Sequence, residues 1–191
     1  MEAKLKAYYD KAKAEGDCEE VLKAMEEAGT VEKFLKNKGN AEYLYWYALN
    51  VMDNRWPEAE PFIMKNAESA YWYAFSLIGK RWPEAETVIM KEPRYAYAYA
   101  RMMGVRWHEA EPFIMKDHKW AYWYAVDVIG KRWIEAESVI MKNAGWAYWY
   151  AVDVIGKRWI EAEPYILESD DYTKIYCHRF GITKEEMNSG R

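Results

Sequence analysis

"RWPEAEPFIMKNAESAYWYA", residues 55–74, opens with Arg-Trp-Pro-Glu-Ala-Glu and closes on Ala-Tyr-Trp-Tyr-Ala. The phrase returns as "RWPEAETVIMKEPRYAYAYA" from Arg81, "RWHEAEPFIMKDHKWAYWYA" from Arg106 and "RWIEAESVIMKNAGWAYWYA" from Arg132. A last opening, "RWIEAEPYILESDDYTKIYC", begins at Arg158, and a variant of the closing block, "LYWYA", begins at Leu44. Successive Arg-Trp pairs are 26, 25, 26 and 26 residues apart. A fixed period of this size marks stacked supersecondary units, none of which can bury its apolar face alone.

Each unit reads as two helices. The first starts near Trp-x-Glu-Ala-Glu: Pro57 and Pro83 suit the first helical position, where no amide hydrogen is needed, and the acids complement the positive end of the helix dipole. Pro61, Pro112 and Pro164 fall near the middle of this short helix, where proline either distorts it or cuts it to one turn. The second helix starts after the N-cap residues Asn66, Asp117 and Asn143, or at Pro93, and stops at Gly79, Gly104, Gly130 and Gly156. The one shorter spacing arises where "RMMGV" replaces "FSLIGK" or "VDVIGK", and a deletion beside Gly104 reads as a change in the turn.

The second helix is apolar on almost every side, so neighbouring units must cover it. Ala121, Tyr124, Ala125, Val128 and Ile129 form one stripe at helical spacing, and Ala110, Phe113, Ile114 and Met115 face it from the first helix. The predicted fold is all-α: an α-solenoid of about five 26-residue helical hairpins over residues 41–168, with helical caps. Residues 1–40 read as an N-terminal cap or subdomain of three helices broken at Gly16, Gly29 and Gly39, with Asp17 and Glu20 as a capping box; Asn40 caps the first repeat helix. Residues 169–191 read as a C-terminal capping helix and tail, in which Lys174, His178 and Arg179 replace apolar residues.

Composition narrows the function classes. Half of the 191 residues are apolar, which excludes wholesale disorder, and aromatics make up 17%, with 11 Trp and 17 Tyr against 5 Phe. Such rings carry polar handles that need partners. A net charge of −4 gives no global attraction to nucleic acid or to anionic lipid. No apolar run reaches the roughly 20 residues that span a bilayer, and the charged N-terminal stretch has no secretory h-region. Cys18 and Cys177 lie far apart and form no metal-like pair, so a cytoplasmic location is expected.

The wording Arg-Trp-Pro-Glu-Ala-Glu, Ile-Met-Lys and Ala-Tyr-x-Tyr-Ala, over residues 44–168, resembles short tandem repeats of uncharacterised proteins from tailed bacteriophages and large DNA viruses. That resemblance brings no activity or site. It implies a phage-encoded protein in the cytoplasm of a bacterial host, and on it rests the expectation of an inhibitor or adaptor that acts on a host protein such as a defence protein. More loosely, the hairpins resemble tetratricopeptide and Sel1-type arrays, which are peptide-binding scaffolds.

Two residue sets are candidate binding sites. Trp46, Trp72, Trp123 and Trp149 share one repeat position, with Ala98 in the remaining copy, and Asp127 and Asp153 stand one turn later. A polar residue four places after a Trp indicates a face that is not fully buried, so this row is the candidate partner-binding groove. The alternative set is basic: Lys80-Arg81, Lys131-Arg132 and Lys157-Arg158 recur beside aromatic rings, a pattern that can hold single-stranded nucleic acid or a nucleotide. Acids accompany them in equal number, which weighs against nucleic acid. Met64, Met90, Met115 and Met141 read as core filling, and the five Arg-Trp-x-Glu-Ala-Glu copies as internal pairing of Arg with Glu beside a wedged Trp. His108, His118 and His178 occupy unrelated repeat positions, and no phosphate loop, nucleophile elbow or metal spacing occurs. The expected function is non-enzymatic binding of another protein, with no cofactor and no metal; self-assembly into a homo-dimer is a further reading.

Overall fold

The computed structural model describes residues 1–16, 19–37 and 40–189, and among these every regular element is helical. Asp17, Cys18 and Gly39 lie outside the described residues, and with them the predicted capping box and the third predicted helix break. The chain forms two compact units, Met1–Lys91 and Glu92–Arg191.

The first unit holds α1 (Ala3–Ala14), α2 (Glu19–Ala28), α3 (Val31–Asn37), α4 (Ala41–Tyr47), α5 (Glu60–Ile63), α6 (Ala67–Tyr73) and α7 (Pro83–Ile89). Helix α4 packs on α5 and α6, and α6 on α7, while α1 packs on α2 and on the end of the α4 helix. The second unit holds α8 (Pro93–Met103), α9 (Glu111–Ile114), α10 (His118–Tyr124), α11 (Ile134–Ile140), α12 (Ala144–Tyr150), a 3₁₀ turn (Ile160–Ala162), α13 (Glu163–Ile166), α14 (Asp170–Phe180) and α15 (Lys184–Ser189). There α10 packs on α8, α11 and α12, and α12 packs on α13 and α14.

The prolines settle the length of the first helix in each pair. Copies with Pro61, Pro112 and Pro164 keep only four α-helical residues, whereas α7 and α11, which lack a proline there, run to seven. Each of these prolines stands one residue into its helix, where its missing N–H breaks no bond; any earlier helical turn would need that N–H. The N-caps form as predicted: the Asn66 side chain accepts from the Ser69 N–H, Asp117 from Lys119 and Trp120, Asn143 from Gly145 and Trp146, and Asn40 from Glu42.

The shorter copy has a different origin from the expected one. Four second helices finish in a π-turn: Ala48–Met52, Ala74–Ile78, Ala125–Ile129 and Ala151–Ile155. In three of them the closing glycine donates across five residues, as from Gly130 N to Ala125 O at 2.9 Å. Helix α8 has no π-turn and runs as α-helix to Met103, and Gly104 bonds instead to Arg101 O. The missing residue is therefore the extra residue of a π-turn inside the helix end, rather than a shortened loop. Gly79, Gly104, Gly130 and Gly156 all take the left-handed conformation at φ between 65° and 73°; Asp53 holds the equivalent place at φ 47°. The π-turn also lifts the end of the predicted stripe. Ala121, Tyr124 and Ala125 are buried, but Val128 and Ile129 are only half-buried.

Helices α1 and α3 bury Leu5 and Phe34, and Tyr8 and Phe34 both lie against the Trp56 ring of the first repeat. At the other end the expected tail folds as α15, which buries Met187 and packs on α13. Its start is a Thr183-Lys-Glu-Glu186 capping box: Thr183 N–H donates to the Glu186 carboxylate at 2.7 Å, and Glu186 N–H to the Thr183 hydroxyl at 3.2 Å.

Candidate protein-binding surface

The repeated Arg-Trp-x-Glu-Ala-Glu builds an internal lock. Each Arg grips the second Glu of its own copy through two parallel bonds of 2.5–3.0 Å: Arg55 to Glu60, Arg81 to Glu86, Arg106 to Glu111, Arg132 to Glu137 and Arg158 to Glu163. The fork fixes a carboxylate that is itself buried at Glu86, Glu111 and Glu137, completely so at Glu163, and half-buried at Glu60. A buried tyrosine of the second helix closes the arrangement. The hydroxyls of Tyr73, Tyr124, Tyr150 and Tyr176 accept the backbone N–H of Trp56, Trp107, Trp133 and Trp159 at 2.6–2.7 Å and donate to Glu60, Glu111, Glu137 and Glu163 at 3.0–3.3 Å.

Tyrosines at this repeat position also reach forward. Tyr47, Tyr73, Tyr99, Tyr124 and Tyr150 place their rings 5.1–5.2 Å from Trp56, Trp82, Trp107, Trp133 and Trp159. At Tyr73, Tyr124 and Tyr150 one hydroxyphenyl group thus ties the Trp of its own copy to the Trp of the next. Burial raises the pKa of Tyr73, Tyr124, Tyr150 and Tyr176 well above the ordinary phenol value. The five arginines and their acids are structural, and the pairing lies within each copy.

A second contact joins consecutive second helices. Tyr97 stacks on Trp120 with ring centres 5.6 Å apart, Tyr122 lies 5.2 Å from Trp146, and Tyr148 lies 6.0 Å from Tyr172. The Tyr97 hydroxyl donates to Asp127 at 2.5 Å and that of Tyr122 to Asp153 at 2.6 Å. Asp127 also lies 3.5 Å from Arg101. Burial and the bond to Asp127 push the Tyr97 pKa up to about 12. Asp127 and Asp153, expected at the edge of a groove, are exposed and each receives a neighbour's phenol. Trp120 and Trp146 were missed. Their signal is an aromatic residue three places after each N-cap, as also at Tyr43 and Tyr172, outside the Ala-Tyr-x-Tyr-Ala block.

The four predicted Trp residues differ in exposure. Trp46 is 45% exposed and Trp149 is 43% exposed, while Trp72 and Trp123 are half-buried. In the second unit Trp123 on α10 leans edge-on against Tyr122 and Trp146, Trp149 follows on α12, and Ile175, at the same repeat position on α14, is 42% exposed. Ala98 on α8 starts this line. Phe75, 51% exposed, stands edge-on beside Trp72 in the first unit.

The basic set is divided. Lys80, Lys131 and Lys157 are exposed, but the guanidinium groups of Arg81, Arg132 and Arg158 are held by Glu86, Glu137 and Glu163. Met64, Met90, Met115 and Met141 are half-buried beside fully buried Ile63, Ile89, Ile114 and Ile140. His108 is exposed, with Glu111 3.5 Å away, and the Cys177 thiol faces Met187 Sδ at 3.5 Å. No group of three His, Cys, Asp or Glu able to hold a metal occurs among the described residues, and none of their helices is long and apolar enough to cross a membrane. No protein-family model, curated protein or solved structure matches this chain.

Proposed function

We propose that this chain is a non-enzymatic helical-repeat scaffold, an α-solenoid of about five hairpins, that binds another protein through its accessible Trp residues, Trp46 and Trp72 in the first unit and Trp123 and Trp149 in the second. The observation that carries the reading is exposure: Trp149 and Ile175 stay open on neighbouring helices although the chain buries rings of equal size at Trp133 and Trp159. Exposed aromatic rows on a rigid support mark binding surfaces, because such rings bring large contact area at small entropic cost. The mechanism is surface presentation, in which these residues cover or recruit a partner. The repeat wording supports a phage-encoded inhibitor or adaptor of a bacterial host protein, which places it in that host's cytoplasm.

The test is capture from bacterial lysate with wild-type chain and with a Trp123→Ala/Trp149→Ala variant shown to be folded. The reading expects a protein retained by the first and lost by the second. Enrichment of nucleic acid alone, with steep salt dependence, would replace it by binding through Lys80, Lys131 and Lys157. Concentration-dependent mass in light scattering, abolished by the same variant, would replace it by self-assembly.

A further inference from the structure

The clasp between consecutive second helices has a vacancy in the first unit. In the second unit a ring three residues after the N-cap covers the preceding tyrosine: Trp120 over Tyr97, Trp146 beside Tyr122 and Tyr172 beside Tyr148. Those three tyrosines are 7%, 4% and 9% exposed. Between α4 and α6 the same pair of positions is Tyr45 and Ser69. Serine supplies no ring, and Tyr45 is only half-buried. Its hydroxyl lies 3.5 Å from Ser76 Oγ, where Tyr97 and Tyr122 reach carboxylates at 2.5 and 2.6 Å. A cleft of about 440 Å³ opens at this place, walled by Tyr45, Ser69 and Trp72, with Glu42, Glu68 and Lys65 at its rim. That volume lies within the range of roughly 300–1,000 Å³ typical of ligand sites.

We propose that this cleft is an anchor site for one aromatic side chain of the protein partner, a tryptophan with a basic residue beside it. The ring would lie against Tyr45 where Trp120 and Trp146 lie against Tyr97 and Tyr122, so the molecule itself supplies the template for the occupant. The rim carries two acids and one lysine, Glu42 and Glu68 against Lys65, and an indole N–H or a flanking cation meets those acids. Helices α4 and α6, which carry Tyr45 and Ser69, pack together. The inference rests on the protein-binding reading for the identity of the partner, but not for the existence of the ring site.

The test uses the full chain labelled with ¹⁵N, and N-acetyl-tryptophanamide as the probe. Saturable amide shifts are expected around Tyr45, Lys65, Ser69 and Trp72, with a dissociation constant on the order of 1 mM. N-acetyl-alaninamide should leave these amides unmoved. A Ser69→Trp variant fills the cleft with its own ring; binding should weaken at least tenfold. If that variant does not fold, Tyr45→Ala, which removes the stacking face, must weaken the probe by the same factor. Absence of saturable shifts, or equal shifts in a folded variant, overturns the proposal. Capture of a partner by Ser69→Trp with no probe binding to wild type would sink the ring site alone. Probe binding with no partner captured would keep the ring site and sink the scaffold reading.

Discussion

Replacing Tyr150 by phenylalanine removes one oxygen and no packing volume, so its cost isolates the hydrogen bonds of the lock. The hydroxyl accepts the Trp133 N–H at 2.7 Å and donates to Glu137 Oε1 at 3.3 Å, and both ends are buried. Loss of the acceptor leaves the Trp133 N–H without a partner away from water, which costs about 1–3 kcal/mol. The carboxylate loses less, because both of its oxygens keep Arg132 at 2.7 Å. A net destabilisation of about 2 kcal/mol follows, equivalent to a fall in melting temperature of about 4–8 °C for a chain of this size. Tyr148, two residues earlier, is the matched control. It is 9% exposed, and its hydroxyl makes no hydrogen bond with the described residues, so Tyr148→Phe should change stability by less than about 0.5 kcal/mol. Urea unfolding followed by helical circular dichroism measures both. Equal effects of the two substitutions, or a Tyr150→Phe variant as stable as wild type, would refute the assignment of the hydroxyl as the keystone of the lock.

Alkali should unfold the chain cooperatively. Tyr73, Tyr97, Tyr122, Tyr124, Tyr150 and Tyr176 all have folded pKa values raised above the unfolded value of about 10, with burial as the first cause. Above pH ~10 the unfolded chain releases protons that the folded chain keeps. Their contribution to stability is whole below that pH and falls by about 1.4 kcal/mol per pH unit per tyrosine above it. Phenolate absorbance and loss of helix should therefore rise together, and full ionisation near pH 10 with helix intact would contradict it. Gly145→Ala should forgo the usual helical gain of up to about 1 kcal/mol, because the new Cβ would stand 2.8 Å from Tyr172 Cζ; a gain of that size in urea unfolding would show the contact to be slack. Deleting Val128 should leave a folded chain whose second helix ends in an α-turn, as α8 does, and loss of helical circular dichroism would argue that the π-turn is required there.

Most of the helical order was legible because the repeat states each boundary several times. Asn66, Asp117 and Asn143 announce the same start, and four glycines the same stop. The π-turns were not legible. A helix of eleven or twelve residues between cap and glycine has the same composition, and only the closing bond from glycine distinguishes them. The phenol bonds to Asp127 and Asp153 were illegible for a similar reason: helical periodicity gives the face of one helix, and says nothing of which neighbour's phenol arrives there. Trp120 and Trp146 escaped because they stand outside the repeated block that drew attention. The vacancy at Ser69 shows in the sequence only after those rings are known to cover tyrosines.

Hydrogen exchange at the backbone amides of Trp107, Trp133 and Trp159 addresses the internal lock directly. These residues stand outside the regular helices, between a closing glycine and the next helix start, where an amide ordinarily exchanges fast. With a buried tyrosine hydroxyl as acceptor at 2.7 Å, all three should exchange as slowly as the amides within α10 and α12, and Tyr150→Phe should release Trp133 alone. Exchange of all three at the rate of the exposed turns would contradict the lock.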